Sequence, residues 1–224
     1  MRLDLPPDWP STEAGALAEQ DRLRPLVVTT GRPARVGLVA GLDVTYATDG
    51  ERLAAAVVVL DANTLAEVER QIVLGEARFP YRPGLLAFRE IPALVEALRA
   101  LKTVPDVLVA DGYGIAHPRR FGLACHIGVL TGLPTIGVAK TAFVGDYAEP
   151  PNARGAYSDL VHDGDVVGRV LRTRTGVKPV FVSVGHRIDL EAACDLVITL
   201  SPRYRLPETT RAADHLSRMA LAAD

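Results

Sequence analysis

An α/β fold built on one mixed sheet is predicted by three features of the 224-residue chain. Three apolar or alternating runs follow one another early, separated by the turn-rich segments TDGER and DANT, which is the pattern of an antiparallel meander. The pattern then changes to stretches with helical spacing that alternate with short apolar runs, the order expected of parallel strands joined by helices. No internal repeat, low-complexity tract or linker interrupts the chain. Residues 1–224 are therefore read as a single domain, long enough to bury a sizeable core.

The elements follow in order. After a proline-rich start, residues 11–24 are predicted helical, with Ser11 or Thr12 as cap and Leu17 and Leu23 on an apolar side. VGLVAGLDV (36–44), AAAVVVL (54–60) and LAEVERQIVL (65–74) supply the meander. Beyond Pro83, residues Leu86, Ile91, Leu94, Leu98 and Leu101 recur at helical spacing. Pro92 inside this stretch is expected to kink the helix or to begin a second one. DVLVAD (106–111) reads as a strand, 119–131 as a helix and PTIGVA (134–139) as another strand. Gly155 to Arg172 reads as a strand pair around HDGD, and PVFVSV (179–184) as one more strand. Helices are expected at 189–199 and 207–221, with the closing MALAAD frayed.

A hydrophobic content of 48% and a charged content of 23% are those of a globular protein and exclude a disordered one. The formal net charge of −2 gives no overall attraction to polyanions, so any nucleic-acid surface must be local. Cys125 and Cys194 are far apart, each within a predicted helix, and are read as buried free thiols of a reducing compartment. No stretch reaches the length of a membrane span. MRLDLPPDWPST carries acids and prolines where a signal peptide needs a basic start and an apolar run. A cytoplasmic monomer with no membrane attachment is expected.

Acids at strand ends carry the chemistry. Asp43 closes the run VGLVAGLD and Asp111 closes VLVA. A lone acid there is usually a turn former. Two on adjacent strands would emerge together, about one strand spacing (roughly 4.8 Å) apart, and repel unless a cation neutralises them. Oxygen-only ligands suit Mg²⁺ or Mn²⁺, and no Cys/His cluster has zinc spacing. Glu90, one turn after Leu86 and one before Leu94, is a third candidate. Its plainer reading is a solvated glutamate paired with Arg89 or Arg99. Together the three acids could hold a metal, activate water and stabilise a phosphate under attack.

In DGYGIAHPRR (111–120), Gly112 and Gly114 permit close backbone approach to a ligand, and a helix is expected to open near Pro118. Position 117 is His117, where a dinucleotide fingerprint requires glycine, and GVAKT lacks the features of a P-loop. Arg119 and Arg120 could hold phosphates at that helix start. Lys140 follows PTIGVA, so it reaches the acids if its strand lies beside that of Asp111. In the last helix Asp214 and His215 are neighbours, so only one can face the cleft fully; His215 is favoured, because its ring can move protons near neutral pH.

The segments GLDVTY (41–46), PYRPGLLAFRE (80–90), DGYGIAHPRRFGLACHIGVL (111–130), PTIGVAKT (134–141), KPVFVSVGHRIDLEAA (178–193) and the RAADHLSR helix appear in the order found in one family. From about residue 20 to 218 the chain resembles endonuclease V, a deoxyinosine-specific nuclease family with a ribonuclease H-like core. That resemblance implies Mg²⁺-dependent hydrolysis of the second phosphodiester bond 3′ to inosine, leaving 3′-hydroxyl and 5′-phosphate ends. It implies metal-binding roles for Asp43, Glu90 and Asp111, and active-site roles for Lys140 and His215. Tyr81, between Pro80 and Pro83, matches the wedge that separates strands. Gly84, Leu85, Gly112, Gly114 and His117 fall on the hypoxanthine pocket. Tyr113 departs from the smaller or polar residue expected there, and could reshape the pocket, point to solvent or supply a stacking contact.

The wedge has a physical rationale. Flipping a base costs a few kcal/mol in unpairing and unstacking, and a ring that fills the vacated stack recovers about 1–3 kcal/mol. A loop stiffened by Pro80 and Pro83 loses less of that gain to ordering entropy. Two other readings stay open. One is a ribonuclease H-like nuclease acting on inosine-containing RNA or on mismatched or branched nucleic acid. The other is a catalytically silent sensor of helix defects.

Overall fold

In the computed structural model, which describes residues 3, 5–48 and 50–223, eight strands form one mixed sheet. The strands are β1 (Leu38–Tyr46), β2 (Arg52–Asp61), β3 (Glu67–Glu76), β4 (Val107–Asp111), β5 (Thr135–Ala139), β6 (Tyr157–His162), β7 (Asp165–Leu171) and β8 (Val180–His186). Their order across the sheet is β3-β2-β1-β4-β5-β8-β7-β6. The predicted meander is present, with β1–β2 and β2–β3 antiparallel. The centre, β1–β4–β5, is parallel, and β8, β7 and β6 form a second antiparallel wing. Short β4 and β5 are buried along their length up to Asp111 at the end of β4, as central parallel strands must be. At the edge, β3 alternates between exposed and half-buried residues. Asp49, within the predicted TDGER turn, lies outside the described residues.

Helices cover both faces. α2 (Leu86–Ala100) and α3 (Leu123–Thr131) pack on one, and α4 (Leu190–Thr199) and α5 (Glu208–Ala223) on the other. α1 (Glu13–Leu23) lies outside α3, with Thr12 as its cap accepting from the Gly15 amide. Asp189 caps α4 in the same way. α5 continues to Ala223 where a frayed end was expected, because its amphipathic face carries the helix along β1 and β2. Asp224 lies outside the described residues.

Two departures from expectation have clear causes. Pro92 lies inside α2, so the alternative of a second helix beginning there does not hold. Proline has no N–H for the carbonyl four residues earlier, that of Phe88, and here the Trp9 indole N–H donates to it at 3.1 Å. The third helix begins at Leu123, not near Pro118, because Arg120 adopts φ 54° and Gly122 takes the cap position. Arg119 pairs with Asp21 of α1 at 2.7 Å and Arg120 donates to the His162 carbonyl at 2.7 Å. Both arginines therefore tie the loop to the protein and do not stand at a helix start awaiting phosphate.

Candidate active site

Sheet register builds the centre of the site. β1 and β4 pair in parallel up to Leu42 and Ala110, so Asp43 and Asp111 are the next residues on neighbouring strands. β4 also pairs with β5, which brings Lys140 alongside, and its Nζ donates to Asp111 Oδ2 at 2.7 Å. Asp43 does not end its strand as expected. β1 runs on to Tyr46, because Asp43 to Tyr46 pair with Ala56 to Leu53 of β2.

One helix reaches the acids from each face. α5 sits directly on the β1 backbone: a Cβ at Gly41 would lie 2.1 Å from the Thr209 carbonyl oxygen. That close approach brings Ser217, two turns further on, to Asp43, where its hydroxyl donates to Oδ2 at 3.0 Å. Thr45 closes the group, with its Oγ1 2.7 Å from Ser217 Oγ. From the other face α2 delivers Glu90, which is buried and accepts from the Tyr46 hydroxyl at 3.3 Å. It is not the solvated glutamate of the plainer reading.

Crowding shows in the electrostatics. Burial first, then the charge of Asp111, pushes the Asp43 carboxyl up to about 6, against the pull of the Ser217 hydrogen bond. Burial, then the charges of Asp43 and Asp111, pushes Glu90 up to about 8. Partial burial pulls Lys140 down, but its hydrogen bond to Asp111 and the charges of Asp111, Asp43 and Asp214 leave it raised, and so cationic. Among the described residues no three His, Cys, Asp or Glu side chains are gathered closely enough to enclose a metal ion as they stand. The donor chemistry nevertheless fits a hard divalent cation. Asp43, Glu90 and Asp111 offer oxygens only, and burial followed by mutual repulsion raises two of the three, a cost that a bound cation would offset.

The last helix reverses one expectation. His215 is exposed, while Asp214 is half-buried and its charge acts on both Asp43 and Lys140. Asp214 is further held by Arg218 at 2.9 Å. Adjacent helical residues point about 100° apart, so seating Ser217 on Asp43 turns Asp214 inward and His215 away. A signal was available: Gly41, Asp43 and Thr45 share one face of a strand, and Thr209, Ala213 and Ser217 share one stripe of a helix, which sets the rotation of α5.

A pocket of about 210 Å³ opens beside this centre. Tyr81, Pro83 and Gly84 form one wall, Asp111, Gly112, Tyr113 and His117 another, and Phe121 and Phe143 line it further. Tyr81 is 65% exposed at the rim. His117 is buried, and burial pushes it down to about 4, so its ring is neutral. Its Nδ1 accepts from the Arg119 amide at 3.1 Å, which leaves the proton on Nε2, facing the Gly84 carbonyl. Tyr113 lines the pocket, packs on Phe143 with ring centres 5.2 Å apart, and donates its hydroxyl to the Thr141 carbonyl at 3.1 Å.

Three predicted residues stand behind or beside this pocket. Leu85 is buried among Phe79, Phe88 and Ala16, and its neighbour Leu86 lines the pocket in its place. Gly114 packs against β8, where a Cβ would lie 2.0 Å from the Val184 carbonyl oxygen, so its missing side chain serves the sheet. Pro80 is exposed and does not line the pocket.

A mixed sheet of this order, with acids gathered at the ends of its central parallel strands and a helix bringing another from each face, is a ribonuclease H-like nuclease fold. A profile of endonuclease V matches residues 21–215. An endonuclease V of Streptomyces avermitilis is 56% identical over 219 residues, covering 97% of this chain and 96% of that one. A crystal structure of endonuclease V from Streptomyces avermitilis has a TM-score of 0.93 at 53% identity, covering 100% of this chain and 99% of the other. Ciona intestinalis endonuclease V, in complex with a 24mer DNA containing an inosine followed by a ribo-adenosine, has a TM-score of 0.84 at 29% identity, covering 94% and 98%. The chain belongs to the endonuclease V family.

Proposed function

We propose that this chain is a DNA repair endonuclease that recognises deoxyinosine and hydrolyses the second phosphodiester bond on its 3′ side, leaving 3′-hydroxyl and 5′-phosphate ends. The observation that carries this reading is the sharing of Asp111: it lines the base-sized pocket and also belongs to the acid centre. A flipped base in the pocket thereby places its own strand across the carboxylates. Support for DNA as substrate comes from the Ciona relative, which binds inosine-containing DNA.

Asp43, Glu90 and Asp111 would hold Mg²⁺, with Mn²⁺ as substitute, and Asp214 takes the place first assigned to His215. Once bound, the metal supplies charge stabilisation at the phosphate and a more acidic water. The chain's own groups do the rest. Lys140, kept cationic, orders Asp111 and faces the scissile phosphate. Tyr81 fills the stack that the base leaves, and Gly84, Gly112 and neutral His117 bound the pocket. The chain works as one cytoplasmic domain and as a monomer. No helix among the described residues is long and apolar enough to cross a membrane.

The test is cleavage of an end-labelled duplex with one deoxyinosine, in Mg²⁺, beside unmodified duplex, inosine RNA and an Asp111→Ala protein. A cut one nucleotide beyond the inosine on its 3′ side, lost in the variant, is the expected result. Equal cutting of all substrates would remove the inosine pocket from the account. Preference for the RNA would make inosine RNA the substrate.

A further inference from the structure

Gln20 is a fully buried amide in α1, a helix that contributes nothing to the sheet or to the acids. A buried amide is retained only where hydrogen bonds compensate its loss of water. Its Nε2 donates to two main-chain carbonyls, Gly84 at 2.9 Å and Phe121 at 3.2 Å. These residues are 37 positions apart in the chain and both line the base pocket, Gly84 on the wedge loop and Phe121 before α3. One amide nitrogen, with its two protons, thus ties the Gly84 wall to the segment that ends the opposite wall at Phe121.

The chemistry fixes the orientation. Turned over, the amide would point its oxygen at two carbonyl oxygens, so only the nitrogen can face them. Oε1 is left buried with no partner among the described residues, so this side chain serves through its donors alone. Gly84 is the joint, since its carbonyl also faces the Nε2 proton of His117. Gly84 has φ 81°, and with no Cβ to confine its backbone it relies on neighbouring groups to hold that conformation.

We infer that Gln20 is a positioning residue that sets the width of the base pocket, and through it the discrimination of deoxyinosine from ordinary bases. The inference rests on the deoxyinosine reading for its functional half; the tie between the walls stands without it. Gln20→Met keeps the volume and removes the donors. Gln20→Glu keeps the shape and places acceptors opposite two carbonyls, so its effect is larger. Leu17→Ala, which loosens the same helix from the cluster around Phe79 and Phe88 but keeps both donors, is the control for lost stability.

The experiment has two arms. In DNA-free protein, amide hydrogen exchange is followed over residues 81–86. Faster exchange in Gln20→Met than in Leu17→Ala is expected, and equal exchange would overturn the tie. In the second arm, steady-state cleavage is measured well below the melting temperature of each variant. Gln20→Met should raise KM for the deoxyinosine duplex about tenfold with kcat within about twofold, and lower the ratio of deoxyinosine to unmodified cutting. Leu17→Ala should leave both unchanged. Matching KM shifts in the two variants, or none in either, would overturn the assignment. Wild-type protein that cuts both duplexes alike would sink the deoxyinosine reading and the specificity claim with it, while the exchange arm would still judge the tie.

Discussion

The acid centre and the base pocket lie side by side and share Asp111, yet they are built by different means. Sheet register fixes the centre: Asp43 and Asp111 are neighbours because β1 and β4 pair, and Lys140 joins them because β5 pairs with β4. Loops fix the pocket, through the Tyr81 segment, the Gly112–Phe121 segment and Phe143, braced from behind by Gln20 and His117. The lesson is one of tolerance. A register shift would undo the centre wholesale, whereas pocket walls can move by degrees, which on the proposed reading tunes which base is accepted.

If the two regions are separable, substitutions in the centre should abolish turnover, and those at the pocket should shift affinity. The largest effect is expected from Asp43→Asn, a loss on the order of a thousandfold in kcat with DNA binding retained. Asp214→Asn should follow at about a hundredfold, while His215→Ala stays within about twofold. Single-turnover rates with prebound duplex read both, and the reverse ranking of Asp214 and His215 would mean that α5 is rotated from the arrangement described.

Tyr81→Ala comes next. Loss of one stacking contact worth about 1–3 kcal/mol should weaken binding of the deoxyinosine duplex some tenfold or more, with a smaller change in the rate once bound. Titration of binding against single-turnover cutting separates the two. A fall confined to the rate would break the division between the regions.

The smallest effect sharpens the comparison through stability. Glu90 is pushed up to about 8, so the fold keeps a proton that the unfolded chain has already released. Its contribution is present at low pH and lost as pH rises toward 8. His117 and His126, pushed down to about 4 and about 3, act in the opposite sense, but only below their ordinary value of 6.5. Between pH 6.5 and 8.5 the metal-free protein should therefore lose about 4 °C in Tm, Glu90→Gln should flatten that slope, and Mg²⁺ should restore the loss. A flat wild-type profile would show that Glu90 is ionised without metal and that the acids are less crowded than described.

The same division explains what the sequence could and could not reveal. The meander and the parallel centre were legible from turn-bounded apolar runs, and Asp43, Asp111 and Lys140 as residues at or just after strand ends; that their strands are neighbours was a condition that only the sheet order supplies. Glu90 was legible as a helical position beside the core. The choice of His215 over Asp214 failed because chemistry alone favoured the imidazole, while helix rotation, set by Gly41 against Thr209, decides which residue faces inward. Leu85 was placed at the pocket by resemblance alone; it turns into the cluster with Phe79 and Phe88, and Leu86 lines the pocket. Phe143 and Gln20 went unseen because loops bring them from far along the chain.

The bond from Trp9 to the Phe88 carbonyl reaches further than one helix turn. It completes the ladder of α2 where Pro92 leaves it open, two residues before Glu90 in the chain. The family match begins at residue 21, so trimming the protein to that match would keep every acid, Lys140 and Tyr81. It would also remove both Trp9 and Gln20, the outer supports of the helix that carries Glu90 and of the pocket. For protein engineering, the shortest recognisable sequence and the shortest well-formed enzyme are therefore different lengths, and an expression boundary belongs ahead of Trp9.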